Sequence, residues 1–232
     1  MEPLWLERVF THRTRRSVVR QPEHCLNREN GRRPWRVRTA AFIAPASGRN
    51  ELEQAMNFRY GPWARTFHWT IAILAFFMLA LGAYMTKGIA PEDPIRGQLY
   101  SLHKATGALI LFLVLIRLLV RFNNEPPMLD DQPALIRIGS RLNHYALYLM
   151  LIAQPLIGIS LSQAADRPVS FYGLFNLPTL IGPQAKPVVE NLAAAHQIGA
   201  GILVLLIALH IAGALYHWLI KQDTVMRRMA WW

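Results

Sequence analysis

The stretch from Pro187 to Ile220, PVVENLAAAHQIGAGILVLLIALHIAGALYHWLI, constrains this chain more than any other. It is long and apolar, and no charged residue stands between His196 and His217. At about 1.5 Å per residue it crosses a hydrocarbon core of about 30 Å with length to spare. A segment of this kind spans a membrane as a helix, because only a helix satisfies its own backbone groups there. Three histidines interrupt it: His196, His210 and His217. His196 and His210 are 14 positions apart, which is about 21 Å along the axis and within about 40° of the same face. Ionisable residues inside a membrane helix are costly and mark function. Two at different depths on one face point to two sites stacked across a bilayer, and neutral imidazole is the common axial ligand of haem iron.

Three further apolar segments precede it. The first runs from Pro62 to about Met85, with Pro62 suited to a first helical turn and His68 just inside, between Trp63 and Trp69 as interfacial anchors. The second covers about Ile95 to Val120, with His103 early, Gly107 one turn later as room for a cofactor or a backbone, and Arg117 and Arg121 at its far end. The third covers about Ser140 to Leu161, with an amphipathic lead-in from Ala134, His144 near its start and a kink expected at Pro155. Lys87–Gly97 and Asn123–Pro133 read as loops. The aromatic, Pro/Gly-rich stretch inside 162–186 is too broken to span and reads as an interfacial lid over the bundle mouth. The expected fold is all-α, an integral membrane four-helix bundle.

The chain carries a net charge of +11. With apolar blocks of this length, the charge reads as membrane flanks, and no nucleic-acid partner is expected. A single cysteine, Cys25, excludes an intrachain disulfide and a Cys-ligated iron–sulfur cluster within the chain. No phosphate-binding loop or nucleotide fingerprint is present. Residues 1–55 hold 11 Arg and no Lys, and they read as a disordered or mis-assigned extension; Met56 looks like a natural start for a domain covering 56–232. From Arg59 onward, nine basic residues fall on the side of the N-terminus and five on the other. That bias puts both termini in the cytoplasm.

Alternating helix direction then gives each histidine a depth. The outer layer contains His103 and His196 alone. The inner layer contains His68, His144, His210 and His217. His210 is favoured as a ligand there because its depth mirrors His196, and His68 is taken as its partner. His144 and His217 read as non-ligands. A membrane histidine can also serve as a plain interhelical hydrogen bonder, so a non-redox scaffold is the alternative for all six.

These residues stand in the motifs TFHW (Thr66–Trp69), SLHKATG (Ser101–Gly107), NHYALYLMLIAQPLIG (Asn143–Gly158), AHQIG (Ala195–Gly199) and ALHIAGALYH (Ala208–His217). Together they resemble the prokaryotic cytochrome b561 family over about Asn57 to Met229. The first 55 residues have no counterpart. The resemblance implies two haem b groups, one held by His68 and His210 and the other by His103 and His196 as axial iron ligands. It implies a bacterial inner-membrane protein that oxidises superoxide at the outer haem and reduces ubiquinone at the inner one. The wider group includes cytochrome b subunits of hydrogenases, so a redox partner protein is the alternative electron donor. Superoxide is an anion, and Lys104, adjacent to His103, is the first choice among the outer cations Lys87, Arg96, Lys104, Arg167 and Lys186 to steer it. His217, seven residues beyond His210 and about 10 Å nearer the cytoplasm, is the candidate to hydrogen-bond and protonate a quinone, with Tyr216 and Trp218 beside it.

Overall fold

A computed structural model describes residues 59–122 and 133–230. The Arg-rich segment 1–55 and most of the polar loop 123–133 lie outside the described residues. Four long helices dominate: α1 (Pro62–Ala83), α2 (Arg96–Phe122), α3 (Ala134–Ala164) and α4 (Lys186–Leu215). A π turn extends α1 over Tyr84–Gly88, and another extends α4 over Tyr216–Lys221. The resulting spans of 27, 27, 31 and 36 residues are each long and apolar enough to cross a membrane. The lead-in from Ala134 is continuous with the third span, and α3 runs through Pro155 as one helix. A short helix, α5 (Val225–Met229), follows α4.

Pro62 stands at the N-terminus of α1, where its missing N–H leaves no intrahelical bond unmade. α1, α2 and α3 share an apolar core of Ile71, Ile110 and Val114, with Phe67, Met78, Tyr148 and Ile152 packed against it. α4 packs along α3. Two glycines allow that approach. A Cβ on Gly199 would run into Gln154, and one on Gly158 would come within 2.9 Å of His196 Cε1. Small residues at helix contacts are the usual device where no hydrophobic driving force separates protein from lipid. On the other side of α4, Ile198, Ile202, Leu205 and Leu209 form an exposed stripe that suits lipid.

α1 and α3 start at one end of the bundle, here the terminal end, where α5 also lies. α2 and α4 start at the other, the hairpin end. There β1 (Ser170–Phe171) and β2 (Phe175–Asn176) pair antiparallel, Ser170 with Asn176 and Phe171 with Phe175. Tyr172 and Gly173 both take positive φ, 50° and 78°, at the two central positions of the turn that Leu174 N–H closes on the Phe171 carbonyl at 3.0 Å. This hairpin sits within the segment expected as a lid. It is tied down rather than loose: Tyr172 OH bonds Thr106 Oγ1 of α2 at 3.0 Å, and Gln163 of α3 bonds Pro178 O and the N–H groups of Leu180 and Ile181.

Candidate functional site: paired histidines at the two ends of the bundle

The inward face of α4 carries His196, Gly199, Leu203 and His210, a heptad-like line. At the hairpin end the rings of His196 and His103 face each other with centroids 6.2 Å apart. At the terminal end those of His210 and His68 are 6.1 Å apart. The helices that bring these rings together, α2 with α4 and α1 with α4, are not among the closely packed pairs of the bundle. The histidines thus bridge the two places where helices stand apart.

That spacing can be tested against an iron between the rings. A metal–imidazole bond is about 2.0 Å, and a ring nitrogen lies about 1.1 Å from its own centroid, so two axial imidazoles sharing one iron stand about 6.2 Å apart. Both pairs fit. Among the described residues no cluster of three or more His, Cys, Asp or Glu forms a metal cage; a porphyrin-held iron would ask the chain for two ligands rather than a cage. His103 Nδ1 and His196 Nδ1 are buried without a hydrogen-bond partner. Gln154 donates from Nε2 to the His196 carbonyl at 2.7 Å and so fixes the helix turn that presents the ring.

His144 also reaches the terminal-end pair, but differently. Its ring meets His210 edge-on at 5.2 Å, closer than a shared iron allows. Its Nδ1 lies 2.6 Å from the Ser140 carbonyl, the i−4 backbone acceptor of its own helix.

A Cβ on Gly107 would meet Met78 of α1 at an ordinary 3.6 Å, whereas Gly82 and Gly158 are the glycines against the rings of His103 and His196. Lys104 lies at the hairpin end as expected, but its Nζ donates to the Pro168 carbonyl at 3.0 Å, so its charge is anchored to the connection after α3. His217 is 9% exposed, and its Nδ1 is 2.6 Å from Asp223 Oδ2. The same carboxylate accepts the Val225 N–H through Oδ1 and caps α5. Asp223 was not legible as a partner because the π turn and the left-handed Gln222 (φ 52°) fold the chain back in a way no helical period foretells. Also missed was the contact of Arg117 with Tyr148, two residues each readable as an ordinary interfacial side chain.

Membrane helices that present imidazoles in facing pairs define a b-type membrane cytochrome. The chain belongs to the prokaryotic cytochrome b561 family, whose model matches residues 59–232. It is 33% identical over 172 residues to cytochrome b561 homolog 2 of Escherichia coli strain K12, covering 74% of this chain and 90% of that protein. It is 29% identical over 166 residues to cytochrome b561 homolog 1 of the same strain, covering 70% of this chain and 91% of that protein. It is 26% identical over 180 residues to a Yersinia pestis protein named probable superoxide oxidase CybB, covering 75% of this chain and 97% of that one. The protein is therefore a bacterial membrane protein of electron transfer that binds haem b.

Proposed function

We propose that the chain is a two-haem cytochrome of the bacterial inner membrane that takes electrons from superoxide at the hairpin end and passes them to ubiquinone at the terminal end. The observation that carries this reading is the double pairing: His103 with His196 and His68 with His210, each at the spacing of axial ligands. In this reading each pair holds one haem b, which when bound supplies a reversible one-electron iron couple. The two histidines on α4, 14 residues apart, would hold the two groups at depths about 21 Å apart along the axis. The exposed apolar stripe of α4 keeps lipid around that path. The balanced reaction is two superoxide plus ubiquinone plus two protons giving two dioxygen plus ubiquinol.

The likeness to the Yersinia pestis protein supports superoxide as donor. Lys104 and its neighbours Arg96 and Arg167 give the hairpin end positive charge that draws an anion, and the Pro168 carbonyl makes Lys104 a fixed charge rather than a moving one. The bias of basic residues supports a cytoplasmic terminal end. There His217 acts on the quinone. Asp223 holds Nδ1 and so orients the imidazole ring, whose Nε2 would meet a quinone carbonyl.

Purified protein supplied with enzymatically generated superoxide and a short-chain ubiquinone tests this. The expected result is haem reduction followed by one ubiquinol per two superoxide, with no second subunit. Haems that superoxide leaves oxidised, but that a co-purifying hydrogenase or dehydrogenase reduces, would make the chain that complex's electron-transfer subunit instead.

A further inference from the structure

We propose that Arg117 anchors a propionate carboxylate of the haem at the terminal end, on the strength of a guanidinium fixed beside the His68–His210 pair with no carboxylate partner among the described residues. The inference rests on the reading of His68 and His210 as ligands.

Arg117 is 14 residues beyond His103 on α2. That places it about 21 Å further along and within about 40° of the face His103 uses. This is the separation of His196 and His210 on α4, so Arg117 stands at the depth of the terminal-end pair. Its guanidinium is held by the two neighbouring helices. Nε donates to Tyr148 OH of α3 at 3.1 Å, and one terminal nitrogen donates to the Ala64 carbonyl of α1 at 3.1 Å. Ala64 is one turn before His68, so the charge lies just beyond the histidine pair, toward the terminal surface.

A cation inside a membrane bundle needs a counter-charge. Among the described residues none is at hand. Glu92, Asp93, Asp166 and Glu190 belong to the hairpin end, and Asp223 is engaged by His217 and the Val225 N–H. A guanidinium has five N–H donors. Two are accounted for here, and the others suit the planar, two-oxygen acceptor of a carboxylate. Haem b carries two such carboxylates on one edge. The half-buried position between α1, α2 and α3 favours that acceptor over a lipid phosphate, which Arg121 is better placed to meet at the end of α2, where it lies over the face of Tyr148.

The test uses purified holoprotein carrying haem with carbon-13 in its propionate carboxylates. Arg117→Gln is compared with wild type by redox-difference infrared spectroscopy and by haem transfer to excess apomyoglobin. The terminal-end haem is identified as the one missing from His210→Ala. Its labelled carboxylate band is expected to shift, and its loss to accelerate about 10-fold or more, the scale of one charge-assisted hydrogen bond. The hairpin-end haem should change in neither. Arg117→Lys keeps the charge and should still shift the band, which decides the matter if the glutamine variant does not accumulate. Unchanged bands and transfer rates with both haems present overturn the proposal. So does an effect that follows phosphatidylglycerol content in vesicles and leaves the label untouched, which makes Arg117 a lipid site. If His68→Ala and His210→Ala both retain two haems, the ligand reading fails first, by a separate measurement.

Discussion

Each histidine of the bundle has a different set of neighbours, and those neighbours set the four proposed ligands apart from His144. His103, His196, His68 and His210 meet in pairs near 6 Å, while His144 is tied to its own backbone and packs edge-on against His210. Replacing His103 or His196 by Ala is expected to remove one haem and leave the spectrum of the other, and His68→Ala or His210→Ala to do the reverse. His144→Ala should keep two haems; loss of one there with His68→Ala retaining both would exchange their roles. Gly158 offers a gentler probe. A Cβ there would meet His196 at 2.9 Å, so Gly158→Val should weaken haem retention at the hairpin end only, read by selective haem loss on mild detergent challenge. His217→Ala should leave both haems in place and slow quinone-dependent reoxidation by about 100-fold, the scale of a lost general acid. Unaltered quinone kinetics in that variant would take His217 out of the reaction.

At the scale of elements, the connection after α3 hangs on Gln163, which is 6% exposed and bonds three backbone groups of the segment before α4. Gln163→Ala leaves these part-buried N–H and C=O groups without their side-chain partner and should cost about 2 kcal/mol. Thermal loss of the haem Soret band would register that as a lowered midpoint, whereas an unshifted midpoint would show that water replaces the side chain. Gln163 illustrates what sequence does not reveal. The four helices were legible because lipid demands an apolar run of fixed length, and the pair His103–His196 because helix direction and rise assign each a depth, whereas depth alone left His68, His144 and His217 open as neighbours of His210. Contacts made by irregular backbone obey neither rule. The turn at Tyr172–Gly173, the bond from Lys104 to Pro168 and the approach of Asp223 to His217 depend on local dihedrals and on which loop closes over which helix. Spacing along α2 likewise does not reveal that the Met78 side chain of α1 stands beside Gly107.

For the whole molecule, the terminal end is held as one piece. Arg65 and Trp69 of α1 donate to the carbonyls of Ala230 and Met229, and Tyr60 N–H donates to that of Arg228, which is 6% exposed. The tail after α4 is thereby joined to the start of α1, on the side where basic residues are more numerous. Cysteine substituted at Tyr172 should react with an impermeant reagent added outside intact cells, and cysteine at Arg227 only after lysis; label reaching position 227 from outside would invert the topology. The central claim is that one helix, α4, contributes a ligand to each of two haems. Its most direct measurement is the haem-to-chain ratio of the purified protein, taken with a potentiometric titration of the α-band. Two haems per chain, both six-coordinate and low-spin and titrating as two components, is the predicted result. One haem per chain, or a high-spin five-coordinate spectrum, would contradict it.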